Sequence, residues 1–211
     1  LACIPPSGGL SPGVAKESFR HPYSFCATIK GMSDRAKGIR PFVLAMIGPI
    51  GSGKTHVARV LARRLGAQHV RTDDIRMRLA RRGKSISRAI TLANRLHEQA
   101  IAKGRSVILD FDAVRSERQR EIKALGKHYG ARVYFIRVKA PERVILERLR
   151  AQHYPIPGVF NDVQHALLAY FNRRRFHRKK LRVRPLFVID NGGSKPLGPQ
   201  IDLVVKRIKG L

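Results

Sequence analysis

The stretch from Phe42 to Leu65 narrows the choice of fold more than any other part of the chain. It opens with six apolar residues, Phe42-Val43-Leu44-Ala45-Met46-Ile47, as a parallel strand buried on both faces requires. Gly48-Pro49-Ile50-Gly51-Ser52-Gly53-Lys54-Thr55 follows, and then Val57, Val60, Leu61 and Leu65 recur at helical spacing. Strand, glycine-rich turn and helix in this order form the G-x-x-x-x-G-K-[ST] phosphate-binding loop. Glycine lets backbone N–H groups turn inward and approach phosphate oxygens. The helix behind adds the partial positive charge of its N-terminus. Lys54 can reach the β and γ phosphates, and the Thr55 hydroxyl can take one place on Mg²⁺. Gly48, Gly51, Ser52, Gly53, Lys54 and Thr55 are therefore the nucleotide-binding residues. A glycine turn that binds nothing has no use for Lys-Thr at those two places.

From Phe42 onward strands and helices alternate, which predicts an α/β fold with a parallel sheet and covering helices. The strands are expected at 42–47, 68–71, 106–109, 132–138 and 186–189. The helices are expected at 54–65, from Thr72 to about 82, at 87–103, 116–129, 141–152, from about 161 past 171, and at 198–208. Ser87 is read as a helix N-cap, and Ala89, Ala93, Leu96 and Ala100 as the inner face of the helix it starts. Pro141 is placed at a first helical position. Tyr154-Pro155-Ile156-Pro157-Gly158 breaks the pattern. With five parallel strands, the site should lie at their carboxyl edge.

Asp73 falls just past the second strand, where a carboxylate can accept the proton of an attacking hydroxyl. Arg76 lies one helical turn on and can hold an acceptor phosphate in its fork. The plainer reading of Asp73 or Asp74 is a helix cap. Asp110 ends the apolar run of strand three, in the position from which a carboxylate serves Mg²⁺ directly or through water. Asp112 is a candidate to share that role. Arg143, Arg148 and Arg150 precede the proline break, where cations can close over a transferring phosphate. Arg148 is the first choice and Arg150 the second. The plain alternative for each is a solvated basic face.

Charge sets the second constraint. Among 211 residues, 43 are Lys or Arg and 14 are Asp or Glu, a formal net charge of +29. Such a surface attracts polyanions, nucleic acid among them. The densest block is 173–184, in which Phe176 and His177 stand among arginines and lysines and could stack on bases. Residues 1–41 are set apart. Leu1 to Pro22 is rich in Pro, Gly and Ser and reads as disordered, Ser24 to Ile29 has the pattern of a short strand, and Met32 is the expected working start. Cys3 and Cys26 are the two cysteines, which supports neither a disulfide framework nor a zinc site. His97, His128, His153 and His165 show no ligand spacing. No apolar run approaches the length of a membrane span, so a cytoplasmic protein is the expectation.

At these residues the chain resembles the P-loop kinases of the nucleotide-kinase-like branch, the predicted-kinase family that includes zeta toxins and the kinase domain of phage polynucleotide kinases. The matching pieces are Gly48 to Thr55, Thr72-Asp73-Asp74-Ile75-Arg76, Gly104 to Asp110, Ala140-Pro141-Glu142-Arg143-Val144 leading to Arg148, and Val188-Ile189-Asp190-Asn191. The resemblance covers about 42–209. It implies a three-layer P-loop NTPase domain over 42–211, a five-stranded sheet of order 2-3-1-4-5, and a helical lid at about 148–160. It also implies transfer of phosphate from ATP to a hydroxyl with Mg²⁺ held at Thr55 and Asp110. Asp73 takes the family's general-base position and Arg76 its acceptor-phosphate position. The family's lid carries two arginines four apart. Arg148 matches the first, Gln152 stands at the second, and Arg150 is the substitute. The acceptor is left open between a nucleic-acid 5′-hydroxyl, with RNA or DNA held by 173–184, and a small metabolite, nucleotide sugar or zeta-toxin-like substrate. A non-catalytic alternative is a nucleotide-gated RNA-binding module.

Overall fold

A computed structural model describes residues 40–156 and 159–210; the strand at Ser24–Ile29, the proposed start at Met32 and both cysteines lie outside them. Five parallel strands, β1 (Phe42–Ile47), β2 (Gln68–Val70), β3 (Val107–Leu109), β4 (Arg132–Lys139) and β5 (Phe187–Asp190), form one sheet in the order β2-β3-β1-β4-β5. All six residues of β1 are buried, because β1 is the central strand and has helices on both faces. Side chains alternate across it. Leu44 and Met46 join the core under α1 (Lys54–Leu65) and α7 (Leu197–Lys209), while Val43, Ala45 and Ile47 join the core under α3 (Ala89–Ala102) and α4 (Ser116–His128). The chain leaves β1 toward β2 and β3 and later returns to its other side for β4 and β5. This reversal opens a crevice at the carboxyl end of β1, where open α/β sheets bind ligands.

Two smaller bodies flank that crevice. On the β2 side, α2 (Thr72–Arg81) packs on α3 through Ile75, Ala89 and Ala93. Above the loop after β4, α5 (Glu142–Ala151) packs on α6 (Val163–Arg178) through Ile145, Leu149, Phe160, Ala166 and Tyr170. The helix α6 begins at the Asp162 side chain, which accepts the His165 N–H at 2.8 Å, and ends at Arg178, so the second half of the basic block lies beyond it. No helix among the described residues is long and apolar enough to cross a membrane.

Three local expectations differ. Ser87 sits inside a 3₁₀ turn (Ile86–Arg88) and its hydroxyl is 2.8 Å from that of Ser85, so it does not cap α3, which follows Arg88. Leu96 is exposed and His97 takes the inner position beside His69 and Val70 of β2; both lie at helical spacing from Ala93, so the packing of α3 against β2 decides between them. Pro141 stands one residue before α5 rather than within it, its ψ of 146° being extended.

Candidate active site

The phosphate loop joins β1 to α1. Gly51 and Gly53 have φ of 78° and 88°, values that side chains rarely adopt. At Gly53 even a methyl group would run into the Asn191 side chain. The Lys54 ammonium donates to the carbonyls of Gly48 and Pro49 at 2.7 and 2.9 Å. Burial lowers its pKa from the ordinary lysine value, and the Asp112 and Asp110 carboxylates oppose that shift. The first turn of α1 carries no acidic side chain, so its free N–H groups face the loop without local competition.

Two carboxylates come up from the end of β3 and divide their tasks. Asp110 accepts the Thr55 hydroxyl at 3.2 Å on one oxygen and lies 3.1 Å from His69 Nε2 on the other. Thr55 and Asp110 thus present adjacent hard oxygens beside Lys54, a donor set that fits Mg²⁺, which takes few protein ligands and fills its octahedron with water and phosphate oxygens. Asp112 likewise binds protein at both oxygens. One accepts the Gly48 N–H at 3.2 Å, and the other lies 2.9 Å from His177 Nε2 on α6. Asp112 thus ties the phosphate loop to α6.

At the end of β2, Asp73 accepts from Arg76 at 2.6 Å, and Asp74 accepts from Arg71 at 2.9 Å. The N-cap of α2 is Arg71, with no side-chain cap bond. Asp73 and Asp74 are therefore not capping groups. Asp73 remains 39% exposed at its side chain, open to a ligand in the crevice.

An "AAA domain" family profile matches residues 43–178. The chain belongs to that family. The AAA domain here shares its fold with solved kinases. A candidate kinase from Chloroflexus aurantiacus is 19% identical with a TM-score of 0.59, over 81% of this chain and 98% of that one. A gluconokinase from Sinorhizobium meliloti 1021 is 16% identical with a TM-score of 0.52, over 82% and 95%. At these identities the likeness is one of fold. No curated protein sequence matches the chain.

The arginines of the AAA domain's α5 are placed unequally. Arg148 donates to the Asn191 carbonyl at 2.8 Å and reaches the carbonyls of Ser52 and Gly51 at 3.4 and 3.5 Å. Asn191 in turn donates to the Ser52 carbonyl at 2.9 Å. Arg148 is thereby moored on the β5 flank of the phosphate loop. Arg150 is exposed and makes no ion pair or hydrogen bond among the described residues. Arg143 pairs with Glu147 on the exposed face of its own helix.

In the basic block, Phe176 and His177 are both engaged within the protein. Guanidinium groups of Arg115 and Arg175 each lie 5.1 Å from the Phe176 ring. His177 is buried on Asp112, and its carbonyl accepts from Arg137 at 2.7 Å. Arg174 pairs with Glu142 at 2.7 Å. Arg137 and His69 are site residues that the sequence reading did not single out, and the pairings Asp112–His177 and Asn191–Ser52 are contacts that spacing does not reveal. The sign available in the sequence was the Asp-x-Asp after an apolar strand.

Proposed function

We propose that this protein is an ATP-dependent kinase that transfers the γ-phosphate to a hydroxyl of an anionic acceptor, a nucleic-acid 5′-hydroxyl being the acceptor that its charge favours. One observation carries the reading. Lys54, Thr55 and Asp110 converge beside the phosphate loop, while a carboxylate that caps nothing, Asp73, stands at the end of β2 with Arg76 bound to it.

The nucleotide's phosphates occupy the loop, with Lys54 on the transferring group. Thr55 and Asp110 would hold Mg²⁺, which would supply charge stabilisation to the transferring phosphate. An acceptor phosphate entering the Arg76 fork takes over the cation that now holds Asp73. That frees a carboxylate oxygen for the acceptor hydroxyl. Asp73 receives the hydroxyl proton, the acceptor oxygen bonds to γ-phosphorus, and the bond to the β–γ bridging oxygen breaks, leaving ADP. Arg148 holds the loop's outer carbonyls and the β5 turn in register, so the phosphates meet a fixed cradle.

The experiment is a transfer assay with γ-labelled ATP and Mg²⁺ across 5′-hydroxyl oligonucleotides, nucleosides and sugars. Label on the oligonucleotide with steep loss of acceptor affinity as salt rises supports the reading. Label on a sugar or nucleotide sugar with a flat salt response replaces the acceptor. RNA binding with no labelled product from any acceptor replaces the kinase by a nucleotide-gated binding module.

A further inference from the structure

Between the first turn of α4 and the segment that follows α6 lies a groove of about 470 Å³, lined among others by Arg115, Phe176, Lys179, Lys180, Leu181 and Arg182. Its four cations face a single carboxylate, Glu117. That carboxylate is already engaged by the Ser116 hydroxyl at 2.8 Å and by Arg120 at 3.8 Å. Backbone and Ser116 hydrogen bonds, then Arg120 and Arg115, hold the Glu117 carboxyl below the ordinary range, and the other three cations make no ion pair among the described residues. Arg115 also rests its guanidinium over Phe176, with Arg175 over the same ring. An aromatic support fixes the guanidinium plane without consuming its N–H donors, which suits bidentate contact with phosphate.

The groove is tied to the phosphate loop by the same two segments that wall it. Arg115 is three residues beyond Asp112, and Phe176 immediately precedes His177. The Asp112 carboxylate holds the Gly48 N–H and His177 together, and Arg137 fixes the His177 carbonyl. A ligand in the groove is thus held at a constant offset from the nucleotide cradle. Val114, Phe176 and Leu181 add apolar wall beside the cations. Cations interleaved with aromatic and aliphatic surface match a phosphodiester chain together with its bases.

We infer that this groove holds the sugar–phosphate backbone of a single-stranded nucleic acid whose 5′ end is the acceptor of the kinase reaction. This inference rests on the kinase reading above, and it assigns the path of the acceptor rather than the chemistry at its end.

The test uses the full chain and fluorescent 5′-hydroxyl oligonucleotides of graded length, as RNA and as DNA, with affinity followed by anisotropy from low to moderate salt. Affinity should rise with length until the groove is filled. The variant carrying Arg115→Gln, Lys179→Gln, Lys180→Gln and Arg182→Gln should bind the long strands at least tenfold more weakly. Its slope of log affinity against log salt should be smaller by about three, at roughly 0.7 for each phosphate no longer neutralised. Cross-linking of the unmodified protein to halogenated-pyrimidine strands, mapped by mass spectrometry, guards against misfolding of the variant and should label residues of 115–117 and 176–182. An unchanged salt slope, or cross-links confined elsewhere, overturns the groove. Phosphate transfer by the unmodified protein separates the two readings. Transfer to short acceptors without groove cross-links removes the groove and keeps the kinase. Groove cross-links without transfer to any acceptor remove the kinase reading and, with it, the assignment of the strand's 5′ end as acceptor.

Discussion

Around the phosphate loop, β1 and β3 are buried along their whole length and share a core with α1 and α7 that includes Leu44, Met46, Leu61 and Ile201. Around Asp73, by contrast, α2 buries only Ile75, and its cluster with α3 contains three buried residues. The helix α6 buries only Ala166 and Tyr170. One half of the candidate site is thus set in the rigid centre of the sheet, while the other is carried on small bodies with little burial of their own. Low burial is where local opening is cheapest. On the proposed reading, the nucleotide side is set in the core of the sheet and the acceptor side is the part whose local opening costs least.

The largest effect should come from the nucleotide side. Lys54→Ala removes a cation from both the bound nucleotide and the transferring phosphate, so transfer should fall by at least about 10⁴-fold, about 5 kcal/mol, with nucleotide affinity falling too. Asp73→Ala should lower transfer by about 10³-fold while nucleotide affinity, measured by titration calorimetry, stays within about twofold. Full activity in Asp73→Ala would remove Asp73 as the base. If nucleotide affinity instead falls as in Lys54→Ala, the two halves are not separable.

The next effect tests the seam between them. His97 on α3 is buried against β2, and its pKa is lowered to about 4, chiefly by burial, with His69 adding and the Val70 backbone opposing. The unfolded chain takes up this proton near pH 6.5 and the folded one near 4. Stability is therefore fully present above pH 6.5 and declines by about 3 kcal/mol as pH falls to about 4. Urea unfolding across that range should show the decline, and His97→Gln should flatten it. A slope of the same size in His97→Gln would place its origin elsewhere. The smallest effect belongs to the exposed face of α5: Arg143→Ala breaks an exposed pair with Glu147 and should change stability by less than about 0.5 kcal/mol.

What could be read from sequence follows the range of the interaction. The buried strand Phe42–Ile47, the loop behind it and the helix Lys54–Leu65 are local patterns, and all three appear where expected. Asp73 with Arg76, and Thr55 as a partner for a strand-end Asp110, follow from helical spacing and from the rule that ligands meet a parallel sheet at its carboxyl edge. Pairings across the chain leave no such trace. Asp112 and His177 meet only because α6 folds back over the loop, and Arg148 spends its donors on carbonyls that no side-chain pattern encodes. His97 was hidden for another reason. Leu96, one position away, shares the helical period and is the apolar residue of the two, so only the packing of α3 on β2 separates them.

The two carbonyl contacts of Lys54 bear on how the loop meets an anion. Its ammonium has three N–H donors, and the Gly48 and Pro49 carbonyls hold two of them. The third is left for an incoming phosphate oxygen, which need displace neither carbonyl. The backbone of the loop itself thus fixes where the remaining donor lies before any ligand arrives.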